Sequence, residues 1–375
     1  MIVLFFVSCL PPADKAVVAD GEDIALVDVN GDPVADVEEE EITIPDFKGP
    51  VVAASPLLGL DKAQKCTQIS KDIKDKPANQ THIVSPISTG RVLYNGNTTT
   101  LRSVIQNASA GDLILLEDGE YTFDEAGSGS YTGVYISKAN IIIRGRSGDA
   151  SKVILNSRYL RHGSESATIT IDAPGVVIAD LTVTKSIFHL IHIWKNGDDV
   201  SIHNVHLLNG GQQFLKASPN TGSADGANIS CNKFIMDTEG RKNVWGYGAL
   251  DGHTRCYTGG IDTHNANDWT IQDNYFEGIY CESTGTHPAH RKNSGGTQYS
   301  GGLAEHAIHM WDTDSGTTHY IERNKIVNCA RGIGVGLGNN YKAGRAVIAN
   351  NMISSTHAGS SEHDVGIIVE AINNA

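Results

Sequence analysis

A short pattern recurs along the second half of the chain and limits the folds that it can adopt. An isoleucine is followed three residues later by an asparagine, and an apolar residue comes two positions after that. Four copies and one shorter relative have this form: Ile229-Ser-Cys-Asn232-Lys-Phe, Ile271-Gln-Asp-Asn274-Tyr-Phe, Ile321-Glu-Arg-Asn324-Lys-Ile, Ile348-Ala-Asn-Asn351-Met-Ile and Ile202-His-Asn204-Val. Asparagine at one inward turn position per coil can hydrogen-bond to its copies above and below. Such repetition predicts a solenoid.

A second element accompanies each copy and has the alternation of a half-buried strand. These face strands contain, in order, Ile191, Leu215, Ile261, Ile308 and Ile333. The first and last intervals of this series are nearly equal, and we interpret each as one coil. The two middle intervals are almost twice as long. They are expected to hold insertion loops, at roughly 237–258 and 281–305, that border one surface.

Composition agrees with this repeat. The chain has 40 glycines and only 6% aromatic residues, a mixture typical of a β-rich fold with many turns. We therefore predict an all-β fold, a right-handed parallel β-helix over residues 91–375 with two long insertion loops. A short helix near 98–108 is expected to cap the first coil, because the open end of a solenoid must be covered.

The chain before position 91 has a different character. Residues 1–12 are apolar and too short to span a bilayer, which predicts an export signal. Two alternatives stay open there: plain export, or a lipoprotein signal with a lipid anchor at Cys9. Residues 13–90 are predicted to be an acidic tail and linker. We expect a secreted, periplasmic or cell-surface protein, with no segment that spans a membrane.

The negative charge is concentrated in this tail. Between Asp14 and Lys48 twelve acids stand against two lysines, so the tail carries −10 of the net charge of −14. The remaining chain has a net charge near zero for its size and no basic stripe. Nucleic acid is therefore not an expected partner.

Two cysteines, Cys256 and Cys281, are separated by about one coil. This interval would place them on adjacent rungs, within reach of a disulfide. The alternative is a pair of buried thiols, and the sequence leaves both open.

Stacking the face strands at ~4.8 Å per rung predicts two outward columns of unusual side chains. The first holds His192, Lys216, Asp262 and His309; the second holds Trp194, Ser218, His264 and Trp311. Tryptophan beside titratable groups suits sugar stacking and proton transfer. The alternative is that the insertion loops fold over this face and bury it, which would make the columns a secondary core.

The insertion loops add basic and aromatic residues to an otherwise acidic chain. Cations and aromatic rings around a groove are what an anionic polysaccharide needs. The candidates for substrate contact are Trp245, Tyr247, Arg255, Arg291 and Lys292.

Several stretches resemble secreted bacterial right-handed β-helix proteins, the superfamily that contains pectate lyases and the chondroitinase B and alginate lyase group. These stretches are Leu113-Ile-Leu-Leu-Glu-Asp-Gly-Glu-Tyr121, the asparagine-bearing coils, Gly260-Ile-Asp-Thr-His264, Ala307-Ile-His-Met-Trp311 and Arg331-Gly-Ile-Gly334. The resemblance covers about 110–375. The Asn-Thr-Asp and Gly-His-Gly motifs of polygalacturonases are absent from the sequence.

The resemblance implies β-elimination at a uronate, with a lysine as base, an assisting arginine and often calcium at the carboxylate. Lys216 matches the lysine by position, and Arg255, Arg291 or Arg331 can assist. Asp262, one rung away, opposes this role because it should hold Lys216 protonated. Either Asp262 ligates calcium, or a histidine, His264 or His309, is the base.

Three functions follow, in order of preference. The first is a polysaccharide lyase that acts on an anionic glycan, with Lys216, His192, His264, His309, Asp262 and Arg255 at its centre. The second is a glycan-binding or surface-adhesion module without catalysis. The third is a glycoside hydrolase, which needs two acids, and Asp262 with Asp312 is the nearest pair.

Overall fold

The structure is a computed structural model that describes residues 62–86, 91–92, 101–123, 133–159, 167–219, 221–244, 257–280, 304–311, 318–336, 345–356 and 365–369. Three short helices and 24 strands lie within these ranges. The helices are α1 (Lys62–Asp75), α2 (Leu101–Asn107) and α3 (Thr238–Lys242). None of the described helices is long and apolar enough to span a membrane.

The strands are mostly three to five residues long, as the repeat predicts. In chain order they are β1 (Thr81–Val84), β2 (Arg91–Val92), β3 (Leu113–Leu116), β4 (Gly119–Phe123), β5 (Val134–Ile136), β6 (Ile142–Gly145), β7 (Val153–Asn156), β8 (Ile169–Ile171), β9 (Val177–Thr184), β10 (Ile191–Ile193), β11 (Ser201–Leu208), β12 (Gln213–Ala217), β13 (Asn228–Ser230), β14 (Lys233–Ile235), β15 (Gly259–His264), β16 (Thr270–Gln272), β17 (Tyr275–Glu277), β18 (His306–Trp311), β19 (Thr318–Glu322), β20 (Lys325–Val327), β21 (Arg331–Val335), β22 (Arg345–Ala349), β23 (Met352–Ser354) and β24 (Val365–Val369).

These strands form two parallel sheets. The first has eight strands in the order β24-β21-β18-β15-β12-β10-β8-β5, and the second has 16. Each strand pairs with the equivalent strand one coil away, so the chain winds as a helix of strands, and parallel crossovers are right-handed in nearly all proteins. The fold is the all-β, right-handed parallel β-helix that the sequence predicted.

The core consists of apolar side chains stacked along the coil axis. Ile191, Leu215, Ile261, Ile308 and Ile333 lie in register on successive rungs of the eight-stranded sheet, and all five are fully buried. The predicted capping helix is α2, which adds Leu101 and Ile105 to the same core. The repeat of apolar positions therefore produces one continuous interior.

The asparagine ladder exists, with one correction. The backbone N–H of Asn232 donates to Oδ1 of Asn274 at 2.9 Å. In the same way the backbone N–H of Asn274 donates to Oδ1 of Asn324 at 3.1 Å, and that of Asn324 to Oδ1 of Asn351 at 2.9 Å. The prediction that Asn204 belongs to this ladder is wrong. Asn204 occupies the preceding left-handed turn position, with φ of 52°.

The folded unit begins earlier than the predicted boundary at residue 91. Strand β1 pairs with β3, and a disulfide joins Cys66 of α1 to Cys231. The compact unit spans Leu60–Ala375. The sequence concealed this because only Ile73 of α1 is buried, which leaves the helix as polar as a linker. The predicted pair Cys256 and Cys281 lies outside the described residues, as does Cys9.

Candidate functional site

The eight-stranded sheet brings the predicted site residues together in the expected register. Successive strands pair His192 with Lys216, Lys216 with Asp262 and Asp262 with His309. On the next column, His264 pairs with Trp311. The candidates on the insertion loops lie outside the described residues and stay predictions. They are Trp245, Tyr247, Arg255, Arg291 and Lys292.

Lys216 is held in a buried network. Its Nζ contacts Oδ2 of Asp262 and Nε2 of His264, and His264 Nε2 lies 3.3 Å from the same Asp262 oxygen. Burial alone would raise the pKa of Asp262, but the charge of Lys216 and the hydrogen bond with His264 outweigh it and hold that pKa well below its usual range. Asp262 is therefore a carboxylate.

The second oxygen of Asp262 is occupied as well. Trp311 donates from Nε1 to Oδ1 of Asp262 at 3.1 Å, and His309 Nδ1 lies 3.5 Å from that oxygen. The rings of His264 and Trp311 are in contact, with centroids 3.6 Å apart. One carboxylate thus positions side chains from three rungs.

Burial divides the two columns. Lys216, Asp262 and His309 are only 4–5% exposed, whereas Trp194, His264 and Trp311 are half-buried. The prediction that both columns point outward to solvent is wrong for Lys216, Asp262 and His309. The alternative, that the columns form a buried second core, is wrong for Trp194, His264 and Trp311. The accessible part of this face is formed by Trp194, His264 and Trp311, and the charged layer of Lys216 and Asp262 lies buried beneath it.

The histidine at the N-terminal end of the column makes a separate contact. His192 Nε2 lies 2.7 Å from Oγ of Ser218, and its ring meets Trp194 edge-on, with centroids 4.9 Å apart. Burial and the charge of Lys216 lower the pKa of His192 to about 4. At neutral pH this ring is uncharged.

Sequence reasoning missed two residues at the other end. Glu305 and His306 come at the start of β18, and the ring of His306 lies beside that of His309. Burial and the negative charge of Asp262 raise the pKa of Glu305. The signal was the run Glu305-His306-Ala-Ile-His309, in which three metal-ligating or titratable residues lie within five positions.

The donors near this site do not fit calcium. Among the residues that the structure describes, the group of three converging ligand side chains is Glu305, His306 and His309. Calcium takes six to eight oxygen ligands, and this group offers two imidazoles and one carboxylate.

Comparisons with known proteins yield distant structural likeness. No family model and no curated protein matches the chain. Pectin methylesterase PemA from Erwinia chrysanthemi is 13% identical over 77% of this chain and 93% of its own, with a TM-score of 0.36. An alginate lyase of the PL6 family is 13% identical over 78% of this chain and 40% of its own, with a TM-score of 0.39. An alginate lyase from Paenibacillus sp. str. FPU-7 is 13% identical, covers 78% and 100%, and has a TM-score of 0.27.

Proposed function

We propose that the chain is a secreted polysaccharide lyase that cleaves an anionic, uronate-containing glycan by β-elimination. The observation that carries this proposal is the arrangement of His264 and Trp311. Both are half-buried at the surface, in ring contact, and both are anchored from below by Asp262. A titratable ring fixed beside a sugar-sized aromatic surface suits proton transfer on a bound sugar.

The reaction needs a base and a compensating charge. The base removes the proton at C5, the electron pair forms a C4–C5 double bond, and the bond from C4 to the glycosidic oxygen breaks. That oxygen takes a proton from water, and the base later returns its own proton to solvent. Because the C5 proton is weakly acidic beside a charged carboxylate, nearby positive charge or hydrogen-bond donors must stabilise the developing anion.

We assign the base to His264 rather than Lys216. Lys216 is an ammonium paired with Asp262 and 4% exposed, so it lacks both a lone pair and access to substrate. Burial, partly offset by the hydrogen bond with Asp262, lowers the pKa of His264, which leaves the ring neutral at pH 7. This role requires the tautomer in which Nε2–H donates to Asp262 and the Lys216 ammonium donates to Asp262 alone. Nδ1 then accepts the proton, and the carboxylate stabilises the resulting imidazolium.

The two tryptophans provide a surface for an extended ligand. Trp194 and Trp311 lie three rungs apart, or roughly 14 Å along the coil axis at the usual strand spacing. A polymer or oligosaccharide can contact both, whereas a single sugar cannot. The basic loop residues Arg255, Arg291 and Lys292 are proposed to bind the carboxylates of such a chain.

Export is part of this proposal. The Cys66–Cys231 disulfide is typical of proteins that fold in an oxidising compartment, which agrees with the apolar N-terminal residues. The lipid anchor at Cys9 remains a prediction. Lipidation would place the protein at a membrane surface without a spanning segment.

The test is an absorbance assay for unsaturated uronate on alginate, pectate and glycosaminoglycans. We expect the wild-type protein to form this product on at least one polymer. His264→Asn should lower kcat by a factor of about 100 to 10,000, the usual contribution of a general base. Ser218→Ala, one coil away on the same column, should keep most of the activity. Full activity in His264→Asn would overturn the assignment of the base.

A glycan-binding module without catalysis is the second candidate. It is favoured by the burial of Lys216 and Asp262, which removes the most charged groups from the surface. Binding without turnover, lost in Trp311→Ala and retained in Lys216→Ala, would select it. The hydrolase alternative has less support, because both Asp262 oxygens are already bound and Asp312 lies outside the described ranges.

A further inference from the structure

Three ligating side chains converge where β18 enters the eight-stranded sheet. Glu305, His306 and His309 each offer one ligand atom, and these atoms lie within 4.8 Å of one another. His306 and His309 are 6% and 5% exposed, with ring centroids 4.6 Å apart. Two buried imidazoles and a half-buried carboxylate therefore face a common point.

The polar atoms of His306 lack a partner among the described residues. Neither of its ring nitrogens makes a hydrogen bond within the described part of the chain. A buried polar atom without a partner is costly, and proteins usually satisfy it with water or an ion. Burial and the adjacent His309 lower the pKa of His306 to about 2, so the ring is neutral and keeps a lone pair, the form that binds metals.

His309 is oriented as a metal ligand would be. Its Nε2 lies 3.0 Å from the carbonyl oxygen of Gly336, and because a carbonyl only accepts, Nε2 carries the proton. The lone pair is therefore on Nδ1, the nitrogen that lies 3.5 Å from Asp262. Metal-bound histidines usually donate their other ring N–H to a carbonyl or carboxylate in this way.

We infer that Glu305, His306 and His309 bind a divalent transition-metal ion of the zinc class. Two imidazoles and a carboxylate with one open position are a donor set that Zn²⁺ accepts. Atoms at about 2.1 Å from one ion are about 3.4 Å apart in tetrahedral geometry, so the three side chains must draw together from a spread of up to 4.8 Å. His306 can turn without breaking a hydrogen bond.

A glycine provides the space for this arrangement. A Cβ at Gly334 would lie 2.8 Å from both Cδ2 and Nε2 of His306, and Gly334 is the rung neighbour of His309. On the adjacent strand β24, a Cβ at Gly366 would meet nothing within 4 Å. The two glycines give a matched pair: Gly334→Ala should displace the His306 ring, and Gly366→Ala should not.

The experiment is a calorimetric titration of the metal-free full chain with Zn²⁺, repeated with Co²⁺ to observe the visible bands of tetrahedral coordination. We expect one ion per chain, with excess Ca²⁺ unable to compete. His306→Ala should weaken Zn²⁺ binding at least 100-fold. Gly334→Ala should weaken Zn²⁺ binding about 10-fold or more, as substitutions of residues that position a metal ligand usually do. Gly366→Ala should bind Zn²⁺ like the wild-type protein.

Absence of stoichiometric Zn²⁺ binding would overturn the inference. Equal binding by the wild-type protein, His306→Ala and Gly334→Ala would also overturn it, because the ion would then lie elsewhere. Circular dichroism identifies any variant that does not fold, and Gly334→Ala decides the matter if His306→Ala is such a variant. The readout is binding alone, so a chain without lyase activity can pass this test and an active lyase can fail it.

Discussion

Asp262 accepts hydrogen bonds from Lys216 and Trp311 and lies beside His264 and His309. A carboxylate so placed determines the positions of its neighbours, and it also compensates a buried cation. These two roles can be separated, because the position of the neighbouring side chains affects the proposed catalysis, whereas charge compensation affects stability.

Asp262→Asn should therefore destabilise the fold. The substitution leaves the Lys216 ammonium buried without a counter-charge, which costs about 3–5 kcal/mol. Urea denaturation should show this loss, and the double variant Asp262→Asn with Lys216→Met should recover a large part of it. Equal unfolding free energies for Asp262→Asn and the wild-type protein would mean that water, rather than Asp262, solvates Lys216.

For single residues, the sequence predicted which side chains lie next to each other but not how deeply each is buried. The intervals between successive face strands were sufficient to pair His192, Lys216, Asp262 and His309 on successive rungs. Exposure depends on how adjacent rungs and loops cover each side chain, which spacing does not contain. His306 was missed for a related reason, since it lies at the very start of its strand, where the alternation of apolar and other residues is not yet evident.

Among the elements, the asparagine ladder is the interaction that most directly joins one coil to the next. Asn274 Oδ1 accepts from Asn232, and its Nδ2 donates to the carbonyl of Ile229 and to Oδ1 of Asn324. Each of these groups is buried, so each needs its partner.

Asn274→Ala should destabilise the protein more than Asn351→Ala. The first substitution leaves two buried backbone groups of the preceding coil unpaired, the N–H of Asn232 and the carbonyl of Ile229, at about 1–3 kcal/mol each, whereas Asn351 is half-buried at the end of the ladder. Chemical denaturation of the two variants measures the difference. Equal losses would mean that the ladder does not stabilise the central coils through these bonds.

Helix α1 docks on the second sheet through a small apolar cluster and through polar groups. Ile69 and Ile73 of the helix pack with Ile142, Val177 and Ala179 of the sheet. Beside them Ser70 Oγ lies 2.8 Å from His203 Nε2, and His203 Nδ1 lies 3.1 Å from Ser230 Oγ. Two isoleucines one turn apart are too few to distinguish this helix from a linker in the sequence.

The docking of α1 should depend on pH through His203. Burial lowers the pKa of His203 to about 4, below the value near 6.5 of an unfolded chain. Between these values the unfolded chain binds a proton that the folded chain excludes, so stability is complete above about pH 6.5 and falls as the pH drops toward 4.

Urea midpoints at pH 7.5 and pH 5 test this dependence. The contribution of His203 to the loss at pH 5 is on the order of 2 kcal/mol, and His203→Asn should lose correspondingly less over the same interval. His192 and His306 also have lowered pKa values and add to the loss in the same way, but they remain in both proteins, so their contributions cancel in the comparison. The same loss in both proteins would show that His203 is not the titrating group.

For the whole molecule, the β-helix converts sequence repetition into a straight scaffold. Because each coil contacts mainly its neighbours, a column of side chains on one face becomes a surface parallel to the axis, suited to a linear polymer. This architecture followed from the repeat alone. The candidate site did not, because single residues, rather than the repeat, determine which rings reach the surface.

The central claim is that this surface performs β-elimination on an anionic glycan. Mass spectrometry of the oligosaccharides released from alginate, pectate or a glycosaminoglycan tests it most directly. We predict products with an unsaturated non-reducing end, each lighter by one water than the corresponding hydrolysis product. Products with the full mass of hydrolysis, or intact polymer in every case, would contradict the account.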